Sequence, residues 1–160
     1  MINIEQALNL AKTNILSNKE HVLVPVLIIT KKDEQSTVVG MPDFPDTPDA
    51  KEALMFYIGQ KIGRDVIQCM HISDAWFASI TEEEIKNIGS VATMPDRKEA
   101  IVIYSADLDG KREMVMLPYH HDGDDLVFEE IQKTDNSNGD LRSHLLDAFF
   151  DGAVALNEED

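Results

Sequence analysis

The chain has 160 residues, of which 43% are hydrophobic and 28% are charged, enough for one ordinary domain with an apolar core. Thirty Asp and Glu residues face fourteen Lys and Arg residues, so the formal net charge is −16. Binding to nucleic acid needs a clustered basic surface, and anionic membranes repel an acidic protein, so both partners are excluded. The charge favours solubility, a basic protein partner, or mimicry of a polyanion.

The chain has a single cysteine, Cys69. It permits no intramolecular disulfide and no cysteine-based zinc site, as expected in a reducing cytoplasm. The first residues lack the basic and apolar regions of a signal peptide, and the apolar run at residues 22–29 is too short to span a membrane. We therefore predict a cytoplasmic protein with one domain over residues 1–160 and a frayed tail at 157–160.

The N-terminal third predicts a helix followed by a hairpin. Residues 3–16 carry Ile4, Leu8, Ala11 and Ile15 at helical spacing, with Asn3 as cap. Residues 21–30 are rich in Val, Ile and Leu and predict a strand, in which a proline marks an edge or a bulge. Residues 36–39 predict the short return strand.

A proline-rich loop and a second helix follow. Residues 40–47 contain two prolines and two acids, which indicates a loop. Phe44 within it is either a docking aromatic or a side chain that pins the loop to the core. Thr47 caps the next helix, with Pro48 at its first position, and Gly63 ends it. The apolar positions of this predicted helix are Ala50, Ala53, Leu54, Tyr57, Ile58 and Ile62.

Residues 66–131 predict a meander of four strands. The first strand covers residues 66–77, and residues 81–88 predict two turns of helix before a crossing loop at 90–98. Residues 101–106 and 114–117 flank Asp109-Gly110, which is typical of a two-residue hairpin turn. Asp122-Gly123 predicts a second turn of the same kind.

These two turns predict a register. The first places Tyr104 opposite Val115, and the second places Tyr119 opposite Leu126. Together they put one set of apolar and aromatic side chains on a common face, which we expect a helix to cover: Val102, Tyr104, Val115, Leu117, Tyr119, Leu126 and Phe128.

The C-terminal residues complete the predicted fold. Residues 132–139 are polar and predict a mobile loop, and Asp140 caps a last helix that ends at Gly152. The predicted class is α+β, with a largely antiparallel, five- to six-stranded meander sheet and helices packed mainly on one face.

A cluster of histidines and acids is the most site-like stretch: His120, His121, Asp122 and Asp124. These residue types bind metals, but adjacent strand residues point to opposite faces, and the spacing matches no standard ligand pattern. Cross-strand ion pairs of His120 with Asp125 and of His121 with Asp124 explain the same residues without a metal.

Two weaker constellations have structural explanations. Cys69, His71 and Ser73 share a strand face, but neighbours on that face are roughly 7 Å apart, too far for a nucleophile and its base. We therefore predict a partly buried histidine and a core thiol. Asp107 to Gly110 lacks the later ligands of a calcium loop and predicts a hairpin turn. No cofactor motif is present, so we expect no cofactor.

Candidate binding residues are Trp76, Arg97, Glu99 and His71. Trp76 is a candidate interface anchor or a core residue, and Arg97 binds an anion or pairs with nearby acids. Asp74-Ala75-Trp76, followed by Pro95-Asp96-Arg97-Lys98-Glu99-Ala100 and an apolar strand, resembles an uncharacterised family of small bacterial and phage-associated proteins over residues 74–118. Members commonly carry a glutamate where this chain has Asp74. The resemblance implies no catalytic residue, but it implies that Trp76, Arg97 and Glu99 are neighbours.

The predicted function is a non-enzymatic protein–protein interaction or regulatory module with an acidic surface, including self-association as a homodimer. Two alternatives stay open. One is a small metal-dependent hydrolase that uses His120, His121 and nearby acids. The other is a nucleic-acid mimic that binds a basic protein. Catalytic residues that are distant in sequence form no local motif, so the enzyme alternative stays open.

Overall fold

A computed structural model describes residues 1–77, 98–135 and 143–158. Within them lie three helices and seven strands: α1 (Ile4–Leu16), β1 (Val26–Lys31), β2 (Ser36–Gly40), α2 (Pro48–Ile62), β3 (Val66–Phe77), β4 (Lys98–Asp107), β5 (Arg112–Asp122), β6 (Asp125–Phe128), β7 (Gln132–Asp135) and α3 (His144–Glu158). The predicted helix at 81–88, most of the loop at 90–98 with Arg97, and the predicted cap Asp140 lie outside the described residues.

The strands form one sheet in the order β2-β1-β3-β4-β5-β6, and β7 also pairs with β5. Every pairing is antiparallel. Each strand from β3 to β6 lies beside the next one in the chain, as in a meander. The predicted α+β class with a largely antiparallel sheet is therefore confirmed.

Helices cover both faces of the sheet, and two of the three lie on the same face. The helix α1 packs on one face, where its buried side chains meet those of Ile28, Ile72, Ile101 and Leu117. The helices α2 and α3 pack on the other face, over Leu27, Ile29, Cys69 and Ala106. No helix in the described ranges is long and apolar enough to cross a membrane.

The first helix is formed as predicted, but the first strand begins later than residue 21. Asn3 Oδ1 accepts from the Gln6 amide at 2.8 Å, and the Gln6 side chain accepts from the Asn3 amide at 2.9 Å. Before β1, the side chain of Asn14 bonds both backbone groups of Val24. Asn18 does the same for Val22. These amides replace the ladder that a strand would need, and Pro25 offers no N–H to extend it.

The predicted pairing of β4 with β5 is wrong by one residue. Tyr104 lies opposite Met114, and Ile103 lies opposite Val115. The loop has three residues because only Gly110, with φ +86°, adopts the left-handed conformation. The Gly110 amide bonds Asp107 O at 3.3 Å, and the Asp107 amide bonds Lys111 O at 3.2 Å, as in a three-residue hairpin.

The one-residue change moves Val102 and Tyr104 to the opposite face of the sheet from Leu117. Tyr104 belongs to the core under α2 and α3, whereas Val115, Leu117 and Tyr119 belong to the core under α1. The common face predicted for all of them is therefore wrong for the two β4 residues. The helix α1 does cover the aromatic face at Tyr119 and at the partly buried Phe128.

The second hairpin is shifted by two residues, which preserves the faces. Asp122 pairs with Asp125, so the turn is Gly123-Asp124 instead of Asp122-Gly123. Gly123 has φ +63°, whereas Asp124 keeps a negative φ, which requires glycine at the first turn position only. Tyr119 consequently faces Phe128 instead of Leu126.

A bulge at residues 129–131 separates β6 from β7, and β7 occupies the first four residues of the mobile loop predicted at 132–139. Tyr119 pairs with Phe128 but Met116 pairs with Gln132, so four steps on one strand match three on the other. Pro118 lies at this point in β5 and has no N–H to donate, while its carbonyl accepts from the Glu129 amide at 2.8 Å. The missing donor explains why the ladder breaks here and resumes as β7.

The last helix passes through Gly152 instead of ending there. It continues to Glu158, so the predicted frayed tail is helical through that residue. A Cβ on Gly152 would overlap the carbonyl oxygen of Phe56, so this glycine allows α3 to approach α2. On α2 the fully buried positions are Met55 and Gly59, while Tyr57, predicted to face the core, is 55% exposed.

Candidate functional site

A cleft of about 580 Å³ lies where the end of β3, the start of β4 and the end of β5 meet. Its described lining residues are Trp76, Lys98, Glu99, Tyr119, His120, His121 and Glu129. Three of them form a row across neighbouring strands, because Trp76 pairs with Glu99 and Glu99 pairs with Tyr119. Cross-strand pairs bring side chains on one face into contact.

Tyr119 is the centre of the row. Its side chain is only 2% exposed and its ring packs edge-on against Phe128, with 6.4 Å between ring centroids. Its hydroxyl oxygen lies 2.7 Å from Glu99 Oε2 and 2.8 Å from Asp74 Oδ1. Asp74 is two residues before Trp76 on β3, hence on the same face of the sheet. Two carboxyl groups from different strands therefore converge on one phenol.

The Tyr119 hydroxyl has fewer hydrogens to donate than it has carboxyl oxygens within hydrogen-bond distance. A phenol carries one hydrogen, so it cannot donate to two carboxylates at once. Burial, the hydrogen bond with Glu99 and the charge of Glu99 raise the pKa of Asp74 to about 7. Burial and the two carboxyl groups also raise the pKa of Tyr119 well above its usual value. These shifts favour the protonated phenol of Tyr119 and, at and below neutral pH, the protonated carboxyl of Asp74.

Two stacked imidazoles lie beside Tyr119. The rings of His121 and His21 are nearly parallel at 17°, with 6.1 Å between centroids, and His121 meets the Tyr119 ring edge-on at 6.2 Å. His21 has φ +52°, a left-handed conformation that side chains other than glycine rarely adopt. The segment after α1 therefore holds a residue in a sparsely populated backbone conformation against His121, which lines the cleft.

Charged side chains line the cleft on the bulged edge. Glu129, at the bulge, lies 3.2 Å from His120 Nδ1 and 3.9 Å from Lys98 Nζ. Bulges redirect side chains in this way. The Lys98 side chain is 59% exposed, so the ion pair contributes little stability. Lys98 and Glu129 instead place one charge of each sign at the cleft.

The four residues of the metal alternative do not assemble around one point. His120 pairs with Val127 and His121 with Leu126, so the predicted ion pairs with Asp125 and Asp124 are wrong. His120 instead contacts Glu129, while His121 contacts His21. Among the residues that the structure describes, no group of three or more His, Cys, Asp or Glu side chains is arranged to hold a metal ion.

His71 lies apart from the cleft, on the other face of β3. It is 5% exposed, and the ring of Phe44 packs against it at 5.8 Å between centroids. Burial and the charge of Lys51 lower the pKa of His71 to about 4. Because the Phe44 ring packs on His71 and against the core under α2 and α3, Phe44 anchors its loop to that core. Cys69 is fully buried, as predicted for a core thiol, and burial raises its pKa.

Two of the four predicted binding residues, Trp76 and Glu99, come together in the cleft. Sequence reasoning missed Tyr119 and Glu129 as site residues, and it named Asp74 only within the family resemblance. The alternation of Asp74 and Trp76 on one strand was a usable signal for Asp74. Tyr119 needed the correct length of the hairpin loop, and Glu129 needed the bulge at Pro118.

Comparison of the chain with protein-family models, with curated proteins and with solved structures finds no match. The resemblance of residues 74–118 to an uncharacterised bacterial and phage-associated family therefore stays a prediction.

Proposed function

We propose that this protein is a non-enzymatic interaction module that captures a basic segment of a partner protein in the cleft. One observation carries the proposal: the carboxyl groups of Asp74 and Glu99 converge within 2.8 Å of one phenol, beside Trp76. Two acids held together in this way attract a cation, because a cation relieves the repulsion between them.

The charge of the whole chain supports the same partner. A net charge of −16 raises the local concentration of basic molecules and accelerates their encounter with the protein. The same negative charge repels nucleic acid, so we do not propose it as a partner. The attraction is general, so it brings basic partners close without selecting among them; selection requires the cleft.

Trp76 supplies the apolar part of the proposed contact. Its side chain is 45% exposed at the cleft, although tryptophan usually buries most of its surface. Tryptophan is enriched among the residues that contribute most to binding, and its ring attracts cations. A basic side chain with an apolar stem therefore meets both a ring and two carboxyl groups.

The test uses an array of peptides in which basic, neutral and acidic sequences have equal length. We expect the wild-type protein to retain basic peptides, and Glu99→Gln to lose most of this binding, since it removes one of the two acids. Glu52→Gln is the matched control, because Glu52 lies on α2, on the other face of the sheet. Equal retention by Glu99→Gln and Glu52→Gln, or no preference for basic peptides, would overturn the proposal.

We also propose a cytoplasmic location and self-association as a homodimer. One buried cysteine, Cys69, supports a reducing compartment. The strand β2 is an edge of the described sheet, and its Val38 is 46% exposed, which supports pairing with a second copy. Sedimentation of the wild type should show a dimer and Val38→Lys a monomer; a monomeric wild type would contradict the proposal.

A further inference from the structure

We propose that the group bound in the cleft is the guanidinium of an arginine side chain, and that it replaces a proton shared by Asp74, Glu99 and Tyr119. This inference rests on the proposed function and names the chemistry of the ligand. It adds that binding releases a proton to solvent, so the interaction strengthens as pH rises. No covalent bond is formed or broken, apart from the loss of that proton from oxygen.

The row of side chains favours a planar cation. Trp76 and Glu99 are direct cross-strand partners, about 5 Å apart at Cβ. Asp74 lies on the same face, about 7 Å along β3. A guanidinium stacked on the indole of Trp76 would direct its N–H groups toward both carboxyl groups. Arginine combines a stacking plane with a fork of donors, whereas a lysine ammonium is a compact point charge that cannot stack.

The shared proton follows from counting hydrogens. The Tyr119 hydroxyl oxygen is within 2.8 Å of two carboxyl oxygens and supplies one hydrogen, so the second short contact needs a hydrogen from a carboxyl group. A bound guanidinium brings its own donors to the same oxygens. The carboxyl proton then has no stabilising role, and the pair ionises fully against the cation.

Other titratable groups surround the pair and must be separated from it. His121, on β5, stacks with His21, which follows α1, and His120 contacts Glu129. Lys98, at the start of β4, also pairs with Glu129. Lys12 of α1 lies over the Phe128 ring, 5.5 Å from its centroid. Because histidines titrate in the same pH range, the experiment needs variants of the acids themselves.

The experiment uses capped tripeptides Ala-Xaa-Ala in which Xaa is arginine, lysine or citrulline, the uncharged isostere of arginine. Calorimetry at about pH 6 and about pH 8, in two buffers with different ionisation enthalpies, gives both affinity and proton release. We expect the arginine peptide to bind about tenfold more tightly at the higher pH, with a proton released at the lower pH. The lysine peptide should bind more weakly, and the citrulline peptide not measurably.

A variant isolates the carboxyl pair from the histidines. Asp74→Asn cannot hold the shared proton, so its weaker arginine binding should lose the pH dependence that arises from the pair. Glu52→Gln should keep the wild-type pH dependence and proton release. Carbon NMR of the free protein adds a readout without ligand: near pH 6, one carboxyl of Asp74 and Glu99 should carry a proton.

Each outcome separates the two proposals. Arginine binding with equal affinity at both pH values and no proton release would overturn the proton exchange and leave the proposed function intact. The same holds if NMR shows both carboxyl groups ionised near pH 6. Binding of longer basic peptides without selectivity for arginine over lysine would overturn the choice of arginine alone. If no basic peptide of any length binds, both proposals fail.

Discussion

Two residues on the same strand show how position sets protonation. Asp74 and His71 are three residues apart on β3, so they lie on opposite faces of the sheet. The pKa of Asp74 is raised to about 7, with burial and the neighbouring Glu99 as causes. The pKa of His71 is lowered to about 4, with burial and Lys51 as causes. Both shifts favour the uncharged form of the side chain.

Replacing Asp74 with asparagine should change how stability depends on pH. Its folded pKa of about 7 exceeds its ordinary value of 3.8, so the folded protein holds a proton that the unfolded chain releases between these values. This contribution is full below pH 3.8 and declines as pH rises through 7. Asp74→Asn keeps a hydrogen-bond donor without titrating, so we expect it to be more stable than wild type at pH 8, measured by urea unfolding.

Asp43→Asn is the control for that measurement, because Asp43 lies exposed in the loop before α2. It should leave the pH profile of stability as in the wild type. If Asp74→Asn shows the same profile as Asp43→Asn, then Asp74 does not hold a proton in the folded protein.

Replacing His71 with leucine should remove a contribution to the pH dependence of stability that has the opposite sign to the contribution of Asp74. The folded pKa of about 4 lies below the ordinary 6.5, so the unfolded chain binds the proton first, and the stability is present above pH 6.5 and lost toward pH 4. His71 thus contributes a loss of about 2 kcal/mol between pH 7.5 and pH 5. The proton on Asp74 acts in the opposite direction in both proteins, so the expected result is a difference of about 2 kcal/mol between the changes in stability of wild type and of His71→Leu over this range. Urea unfolding at the two pH values measures the difference.

His71→Gln separates charge from polarity in that experiment. Nε2 of His71 has no hydrogen-bond partner among the described residues, so part of its cost is an unpaired polar atom and not a titration. The glutamine variant should lack the pH dependence and still be less stable than the leucine variant. A leucine variant that keeps the wild-type slope would show that folding does not lower the pKa of His71.

At the scale of elements, the sequence predicts elements better than it predicts their pairing. The capping box of α1 and the Thr47 cap of α2 are local, and both helices form where predicted. The β4–β5 register depended on the turn between the strands. A two-residue turn needs a positive φ at both Asp109 and Gly110, whereas the observed three-residue loop needs it at Gly110 alone, and the dipeptide is compatible with both. A single extra loop residue then moved Tyr104 to the other face.

The candidate site was predictable to the extent that it lies within one strand. Asp74 and Trp76 share a face by alternation alone, and Glu99 was identified with Trp76 as a neighbour. Tyr119 is a direct partner of Glu99 only in the shifted register, and Glu129 reaches the cleft only through the bulge at Pro118. These positions depend on tertiary pairing, and no local pattern encodes it.

Close contact between α2 and α3 gives the element-scale prediction. An added Cβ on Gly152 would overlap backbone atoms of Phe56, and backbone cannot move aside as a flexible side chain can. Although alanine is the better helix former, Gly152→Ala should destabilise the protein by about 1–3 kcal/mol. Gly40→Ala is the control, since nothing lies near its Cβ position, and it should change stability by less than about 0.5 kcal/mol. Chemical denaturation of both variants measures these values. If Gly152→Ala left the free energy of unfolding unchanged, the two helices would be less closely packed than the structure shows.

At the scale of the whole molecule, one acidic chain carries two separate cores. The core under α1 includes Tyr119, whose hydroxyl contacts Asp74 and Glu99 at the cleft. His71 is buried on the other face, under α2 and α3. The sheet thus has the cleft at one end of one face, and on the other face the core under α2 and α3. The acids outnumber the basic residues by sixteen, so folding must also overcome their mutual repulsion.

That repulsion makes stability depend on salt. Raising NaCl from about 20 mM to about 200 mM shortens the screening length from about 20 Å to about 7 Å, which weakens repulsion across the folded surface more than within the expanded unfolded chain. We expect the melting temperature to rise by at least about 2 °C over this range. The double variant Asp43→Lys and Glu52→Lys has a net charge of −12 instead of −16, since each reversal changes the charge by two. Its melting temperature should rise less with salt than that of the wild type. Calorimetric melting of both proteins measures the difference, with potassium chloride in place of sodium chloride to exclude a specific sodium site. A melting temperature that falls with salt in the wild type would mean that attractive ion pairs outweigh the excess of acids.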